Sequence, residues 1–161
     1  MTHRRIRTAV VVAALALVAT TTTPAWADIS KSVISQFKGQ LVVSKGELPE
    51  GKNDKDTIAK IKAAKLTELA GETNGDVTAW TFHYAAFLSK TGASSLKVEF
   101  WRDGKQYAAD KRLESVDPKS SLLTGEITID EDENITKGKS YLIKVVAGTD
   151  TVIASTTLVM K

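Results

Sequence analysis

The sequence predicts a mainly β protein: an immunoglobulin-like or fibronectin-III-like antiparallel β-sandwich of about seven strands, preceded by one or two short N-terminal helices. Between residues 65 and 161, short runs in which apolar and polar residues alternate recur at regular spacing, with turn-forming residues between them. The chain has no cysteine, so the disulfide of antibody domains is absent and the fold must be stabilised by its own core. An open barrel would produce a similar pattern, because strand count and periodicity alone support the sandwich.

Residues 1–27 have the form of a cleaved secretory signal. Three arginines precede the apolar segment Ala9–Ala19, which is too short to span a bilayer. Ala25-Trp26-Ala27 then gives the small-x-small pattern of a cleavage site. An uncleaved membrane anchor is the alternative, and the short apolar run argues against it. We therefore expect an exported protein, either periplasmic or secreted.

Removal of the signal changes the charge of the chain. Three of the 22 basic residues lie in the signal, so the exported part has 19 basic and 19 acidic residues. A neutral chain lacks the basic field that nucleic-acid binding requires, so no nucleic-acid partner is expected. No second long apolar run follows the signal, so no integral membrane segment is expected in the exported part.

Residues 28–64 are predicted to form an N-terminal extension of helices and loops. Apolar residues at helical spacing predict a helix within Asp28–Lys38. A short β-like run at Gln40–Ser44 follows, and then a loop rich in glycine and charged residues. A second helix, capped by an aspartate, is expected to end near Ala64 or Lys65.

The next segment, Leu66–Glu72, can be read as the last turns of that helix or as a strand. The Asn74-Gly75 pair readily forms a tight hairpin turn between two apolar segments, which favours a strand. Val77–Ser89 then alternates clearly, and this predicts a long strand with one face in the core. The residues expected on that core face are Trp80, Phe82, Tyr84, Ala86 and Leu88.

Asp103-Gly104 predicts a hairpin that joins a strand at Ser95–Arg102 to another at Lys105–Leu113. A two-residue loop would set Phe100 opposite Tyr107 and Trp101 opposite Gln106. The residues then expected on the buried face are Leu96, Val98, Phe100, Tyr107 and Ala109. Those expected on the outer face are Lys97, Glu99, Trp101, Gln106 and Asp110.

Three further alternating runs complete the predicted sandwich domain, residues 65–161. They are Leu122–Asp130, Ser140–Ala147 and Thr151–Met160. The inward residues expected from their alternation are Leu123, Ile127, Ile129, Tyr141, Ile143, Val145, Val152, Ala154, Thr156, Leu158 and Met160.

The sequence offers little catalytic machinery. After the signal there is one histidine, His83, and no serine lies in a Gly-x-Ser-x-Gly turn. A lone histidine in a strand is usually a side chain with a hydrogen-bond partner rather than a base. No glycine-rich phosphate loop precedes a helix, and we expect a protein that is not an enzyme and needs no cofactor.

One acidic segment resembles part of a calcium-binding loop. Asp130, Asp132 and Asn134 have the spacing of the first three side-chain ligands of such a loop. The match fails further on, because Ile135 stands where the loop needs glycine and Tyr141 where it needs a bidentate glutamate. An acidic loop between two strands is the favoured interpretation, with calcium binding as the alternative.

The candidate binding residues are Trp101, Glu99 and Gln106 on the outer face of the hairpin, together with His83 on the outward side of the preceding strand. An exposed tryptophan suits recognition of a protein or a glycan. The favoured interpretation is nevertheless that the N-terminal helices cover this face and bury Trp101 in a second small core, with a binding site as the alternative.

These observations predict an exported, non-enzymatic β-sandwich protein that acts as a binding or structural module of a bacterial-type cell envelope or of the extracellular space. The first alternative is a self-associating filament or matrix subunit, with Gln40–Ser44 and the C-terminal strand as segments that could pair with a neighbour. The second is a small carboxylate-dependent hydrolase, which would need two acidic residues across a cleft.

Overall fold

The structure, a computed structural model, describes residues 29–161, so the predicted signal at 1–27 lies outside the described residues. The helices are α1 (Lys31–Phe37) and α2 (Asp54–Ala64), and a 3₁₀ turn follows at Glu131–Glu133. The strands are β1 (Leu41–Ser44), β2 (Glu68–Leu69), β3 (Glu72–Asn74), β4 (Val77–Phe87), β5 (Leu96–Arg102), β6 (Gln106–Leu113), β7 (Leu122–Asp130), β8 (Lys139–Ala147) and β9 (Thr151–Met160).

The strands form two sheets. In the four-stranded sheet, β4 is central and β7 pairs with one side of it. On the other side, β3 pairs with the beginning of β4 and β1 pairs with its end. The five-stranded sheet has the order β2-β9-β8-β5-β6, and all its pairs are antiparallel except β2 with β9. This separation of sequential strands between two sheets is the arrangement of an immunoglobulin-like sandwich. The predicted fold class is confirmed.

One residue at the corner between β7 and β8 gives independent support for this architecture. Tyr141, near the start of β8, is fully buried, and its hydroxyl accepts a hydrogen bond of 2.8 Å from the backbone N–H of Thr136. A tyrosine that bonds back to the backbone at the equivalent corner is a recurrent feature of immunoglobulin-like domains. Here it fixes the loop that crosses from one sheet to the other.

The main core lies between the two sheets, as the alternation predicts. All five residues expected on the core face of β4 are buried, as are the inward residues of β8. Val152 is an exception, since it is 49% exposed. A bulge at Val145/Val146 shifts the register, so that Val145 pairs with Ala154 and Val146 with Val152, and Val152 is displaced from the core.

The ambiguous segment Leu66–Glu72 divides between the two sheets. β2 joins the five-stranded sheet and β3 joins the four-stranded sheet, with Gly71 at the crossing. A Cβ on Gly71 would lie 2.5 Å from the Thr78 side chain and 2.8 Å from the indole nitrogen of Trp80. Only glycine lets the backbone approach the tryptophan this closely at the crossing between the two strands.

The N-terminal helices pack on the outside of the four-stranded sheet. Ser30 caps α1 and Asn53 caps α2, each accepting a hydrogen bond from a backbone N–H three residues on. The rings of Phe37 and Phe87 are 5.1 Å apart, at the centre of a second apolar cluster. The buried members of this cluster are Val33, Phe37, Val42, Leu48, Ile61, Ala85 and Phe87. β1 pairs with β4, so the N-terminal extension also contributes a strand to the sandwich.

The predicted register of the β5–β6 hairpin is wrong. The Asp103-Gly104 turn forms with positive φ at both residues, 49° and 70°, as a type I′ turn requires. The pairing then departs from the two-residue rule: Phe100 pairs with Ala109, and Trp101 pairs with Tyr107. The shift begins at the turn, where Arg102 pairs with Gln106 and three residues separate the paired ends. A bulge between Phe100 and Trp101 then adds a further residue on β6. Tyr107 is therefore 49% exposed instead of buried.

Candidate functional site on the five-stranded sheet

The candidate site is the outer face of β6, β5 and β8, hereafter the Trp101 face. Leu96, Val98 and Phe100 of β5 point into the core, so the alternate residues of that strand point outward. The strand pairing then places the outward residues of the three strands side by side. The residues that define the face are Lys97, Glu99, Trp101, Tyr107, Asp110, Arg112, Leu142 and Lys144.

Trp101 is half-buried by its neighbours on this face. Its indole N–H donates a hydrogen bond of 2.9 Å to Oε2 of Glu99. The ammonium nitrogen of Lys144 lies 4.2 Å from the indole ring centroid, in a cation–π contact. The Tyr107 ring meets the indole edge-on, with the centroids 5.6 Å apart. These contacts fix the orientation of the tryptophan without removing it from solvent.

Tyr107 extends the aromatic surface towards the free edge of the sheet. Its hydroxyl donates a hydrogen bond of 2.7 Å to Oδ1 of Asp110. That hydrogen bond is the main reason why the pKa of Tyr107 rises to about 12, with desolvation and the charges of Asp110 and Glu99 adding to it. The phenol therefore stays neutral, as a donor, throughout the physiological pH range.

The four candidate binding residues do not form a single site. Trp101 and Glu99 are in contact on the Trp101 face. Gln106 pairs with Arg102, and Tyr107 takes the place opposite Trp101 that had been expected for Gln106. His83 belongs to the four-stranded sheet, on the other side of the sandwich, where its Nε2 lies 3.1 Å from Oε2 of Glu126.

Sequence reasoning missed four residues of this face: Tyr107, Arg112, Leu142 and Lys144. Tyr107 was assigned to the core because a two-residue loop was expected at Asp103-Gly104, whereas Arg102 pairs with Gln106. Lys144 could have been found, since it lies between the inward residues Ile143 and Val145 and opposite Glu99. The cation–π contact depends on strand order, which the sequence does not reveal.

The helices do not cover the Trp101 face. The apolar cluster that α1 and α2 form involves β1 and β4, which belong to the other sheet. The expectation that Trp101 would become part of a second core beneath the helices is therefore wrong. The second core exists, and Phe87 occupies its centre.

The acidic loop after β7 is held by contacts within the chain. Oε2 of Glu131 accepts a hydrogen bond of 3.0 Å from the N–H of Thr78, and Glu133 forms an ion pair with Lys111. Asn134 has a left-handed backbone conformation, with φ of 65°. Within residues 29–161, no group of three or more His, Cys, Asp or Glu side chains is arranged to hold a metal ion. Calcium binding by Asp130, Asp132 and Asn134 stays a prediction.

A hollow of about 420 Å³ lies between the two sheets at the β6–β7 connection, and two carboxylates line it. Glu114 lies 3.8 Å from the guanidinium of Arg112, and Asp117 accepts a hydrogen bond of 2.9 Å from the N–H of Lys119. Burial raises the pKa of Tyr84, which also lines the hollow. Both carboxylates thus take part in local structure.

Among residues 29–161, neither helix has the length and apolar character needed to cross a membrane. No protein-family model matches the chain, and a search of curated proteins finds no match. Comparison with solved structures finds distant likenesses, two of which are described below.

The first likeness is to an immunoglobulin-like protein from Pseudomonas aeruginosa, with 12% sequence identity and a TM-score of 0.39. The alignment covers 76% of this chain and 90% of that protein. The second is to a β-glucosidase from Kluyveromyces marxianus in complex with glucose, with 15% identity and a TM-score of 0.32. It covers 58% of this chain and 14% of the glucosidase. The class of protein, an immunoglobulin-like β-sandwich, follows from the strand order of this structure itself.

Proposed function

We propose that this protein is an exported, non-enzymatic β-sandwich module of the cell envelope or extracellular space, and that it binds a protein partner through the Trp101 face. One observation supports this most strongly. Of the two outer faces of the sandwich, the chain's own helices pack on one, while the other presents a half-exposed tryptophan and an exposed tyrosine. The signal-like residues 1–27 support export.

The arrangement of the aromatic residues favours a protein over a glycan. Sugars are recognised by stacking on an open ring face, but Lys144 lies over the ring of Trp101 and Tyr107 packs against its edge. Tryptophan, tyrosine and arginine are the residues that most often dominate protein–protein interfaces, and all three occur on this face. Glu99 and Asp110 supply acceptors around them.

The test uses residues 28–161, which contain both sheets, both helices and both apolar clusters. The immobilised protein is exposed to the native envelope fraction and to the culture medium, and bound material is identified. We expect the same protein partner with the wild type and with the His83→Ala variant, whose altered residue lies on the opposite face. The Trp101→Ala variant should lose it.

If a glycan is captured instead of a protein, the proposed class of partner is wrong. Capture that survives Trp101→Ala but is lost with His83→Ala would place the binding surface on the other sheet. Saturable hydrolysis of a substrate, lost on mutating Glu114 or Asp117, would overturn the non-enzymatic assignment.

A further inference from the structure

The charges on the Trp101 face are arranged in two rows of opposite sign. The observed register sets Glu99 directly opposite Asp110, and Lys97 directly opposite Arg112. Like charges that face each other across two strands are destabilising, and here two such pairs occur side by side. Across β5 and β6, an acidic row therefore lies next to a basic row.

Neighbours within the chain balance these charges only in part. Arg112 lies 3.8 Å from Glu114, in an exposed pair. Within residues 29–161, Lys97, Glu99 and Asp110 form no ion pair. Glu99 and Asp110 instead accept hydrogen bonds from the two aromatic residues, which hold both carboxylates on the surface. Lys144 of β8 also lies opposite Glu99, with its ammonium group over the Trp101 ring. The two rows across β5 and β6 are thus fixed in place with only part of their charge compensated.

We propose that the partner of the Trp101 face is the same face of a second copy of this chain. This inference rests on the proposed function and names its partner. A two-fold axis that runs across the strands at the level of Val98 exchanges the two rows. Lys97 then faces Glu99 of the second copy, and Arg112 faces Asp110 of the second copy. A surface with this pattern is complementary to itself, as a two-fold interface requires.

The aromatic end of the face fits the same axis. Trp101 and Ser95 each lie three residues from Val98 along β5, about 10 Å on either side of the axis at about 3.3 Å per residue. The rotation therefore carries Trp101 onto the region of Ser95 in the second copy. At that position the structure has a hollow of about 230 Å³, lined by Ser95, Leu96, Lys97, Arg112, Val146 and Gly148.

The hollow suits an aromatic side chain. Buried Val146 lines it opposite Lys97, and the cationic groups of Lys97 and Arg112, which also line it, can contact an aromatic ring. Face-to-face packing of two aligned sheets also brings outward side chains of both sheets into one layer. A single two-fold axis thus pairs both charge rows and places the exposed aromatic residue against a recess.

The experiment is a charge exchange followed by sedimentation equilibrium, on residues 28–161. In one variant, Lys97→Glu with Arg112→Glu, all four row residues are acidic. In the other, Glu99→Lys with Asp110→Lys, all four are basic. We expect the wild type to dimerise with rising concentration, each variant alone to remain a monomer, and an equal mixture of the two variants to dimerise.

A matched control reverses two exposed lysines of the N-terminal half, Lys52→Glu with Lys62→Glu, and should dimerise like the wild type. Recovery in the mixture also shows that both row variants are folded. A wild type that stays monomeric at every concentration overturns the proposal, as does a mixture of the row variants that stays monomeric.

The outcome separates this inference from the proposed function. A monomeric wild type that still captures another protein in a Trp101-dependent way overturns the second copy as partner and leaves the binding role intact. A monomeric wild type that captures no protein would overturn both the second copy as partner and the proposed binding role.

Discussion

The two outer faces of the sandwich differ in what their outward residues carry. On the four-stranded sheet the outward residues near the helices are Val42, Ala85 and Phe87, all fully buried. On the five-stranded sheet the equivalent positions hold charged residues, such as Lys97 and Glu99, around one tryptophan. An apolar outer face must be covered, and the chain supplies two helices for it. A charged face with a few fixed aromatic residues is stable in water without such a cover.

The same contrast occurs within the four-stranded sheet. Phe87 and Ala85 lie in the apolar cluster, whereas Thr81 is exposed and its hydroxyl hydrogen-bonds Thr128, and His83 pairs with Glu126. The helices cover the apolar end of β4 and stop where its outward residues become polar. The helices therefore cover the part of the sheet whose outward residues are apolar, and not the whole outer face.

The largest effect is expected at the centre of the covered face. Phe87→Ala removes a fully buried ring that packs on Phe37 and leaves a cavity beneath α1, so we expect the free energy of unfolding to fall by about 3–5 kcal/mol. Denaturant unfolding measures this change. A loss below about 1 kcal/mol, typical of surface substitutions, would mean that the helices are not part of the cooperative fold.

The matched substitution on the open face should cost less. Trp101→Ala removes a half-buried indole and one hydrogen bond to Glu99, so we expect a loss of about 1–2 kcal/mol. The same denaturant measurement gives the comparison with Phe87→Ala. If both substitutions were equally destabilising, the distinction between a covered face and an open face would fail.

The smallest effect concerns the titration of Tyr107. Its pKa is raised to about 12, so the folded state retains its proton between about pH 10 and pH 12, where the unfolded chain loses it. The resulting contribution to stability is present below about pH 10 and is lost as the pH rises to 12. Asp110→Ala removes the hydrogen-bond acceptor and its charge, and should lower the pKa of Tyr107 towards about 10.

Tyrosinate absorbance against pH measures this shift, and the Tyr107→Phe variant identifies its signal. Asp76→Ala, which changes an exposed aspartate in the turn between β3 and β4, is the control and should leave the titration unchanged. If Asp110→Ala leaves the titration of Tyr107 unchanged, the hydrogen bond is not maintained in solution.

Strand positions could be predicted closely because alternation depends on local sequence. The bounds of β7 and β9 agree with the predicted runs, and the core face of β4 was identified residue by residue. Alternation states which residues point inward, but it does not state to which sheet a strand belongs. That is why His83 and Trp101 were assigned to one outer surface and lie on two.

The pairing register of the β5–β6 hairpin was the second feature that could not be predicted from the sequence. The position of the turn at Asp103-Gly104 was predicted correctly, but its two-residue loop was not, because Arg102 pairs with Gln106. The extra residue between Arg102 and Gln106 moved Tyr107 from the core to the surface, and the bulge between Phe100 and Trp101 then set Phe100 opposite Ala109. The aromatic half of the candidate site thus came from a feature that no local pattern encodes.

The two tryptophans of residues 28–161 have opposite surroundings, and this has a spectroscopic consequence. Trp80 is fully buried, with its indole N–H donating a hydrogen bond of 3.1 Å to the carbonyl of Lys161. Trp101 stands half-exposed between a lysine and a glutamate. We therefore expect the fluorescence of Trp80 to report whether the two sheets are packed, and that of Trp101 to report occupation of its face by the proposed partner. One chain carries separate optical signals for folding and for binding.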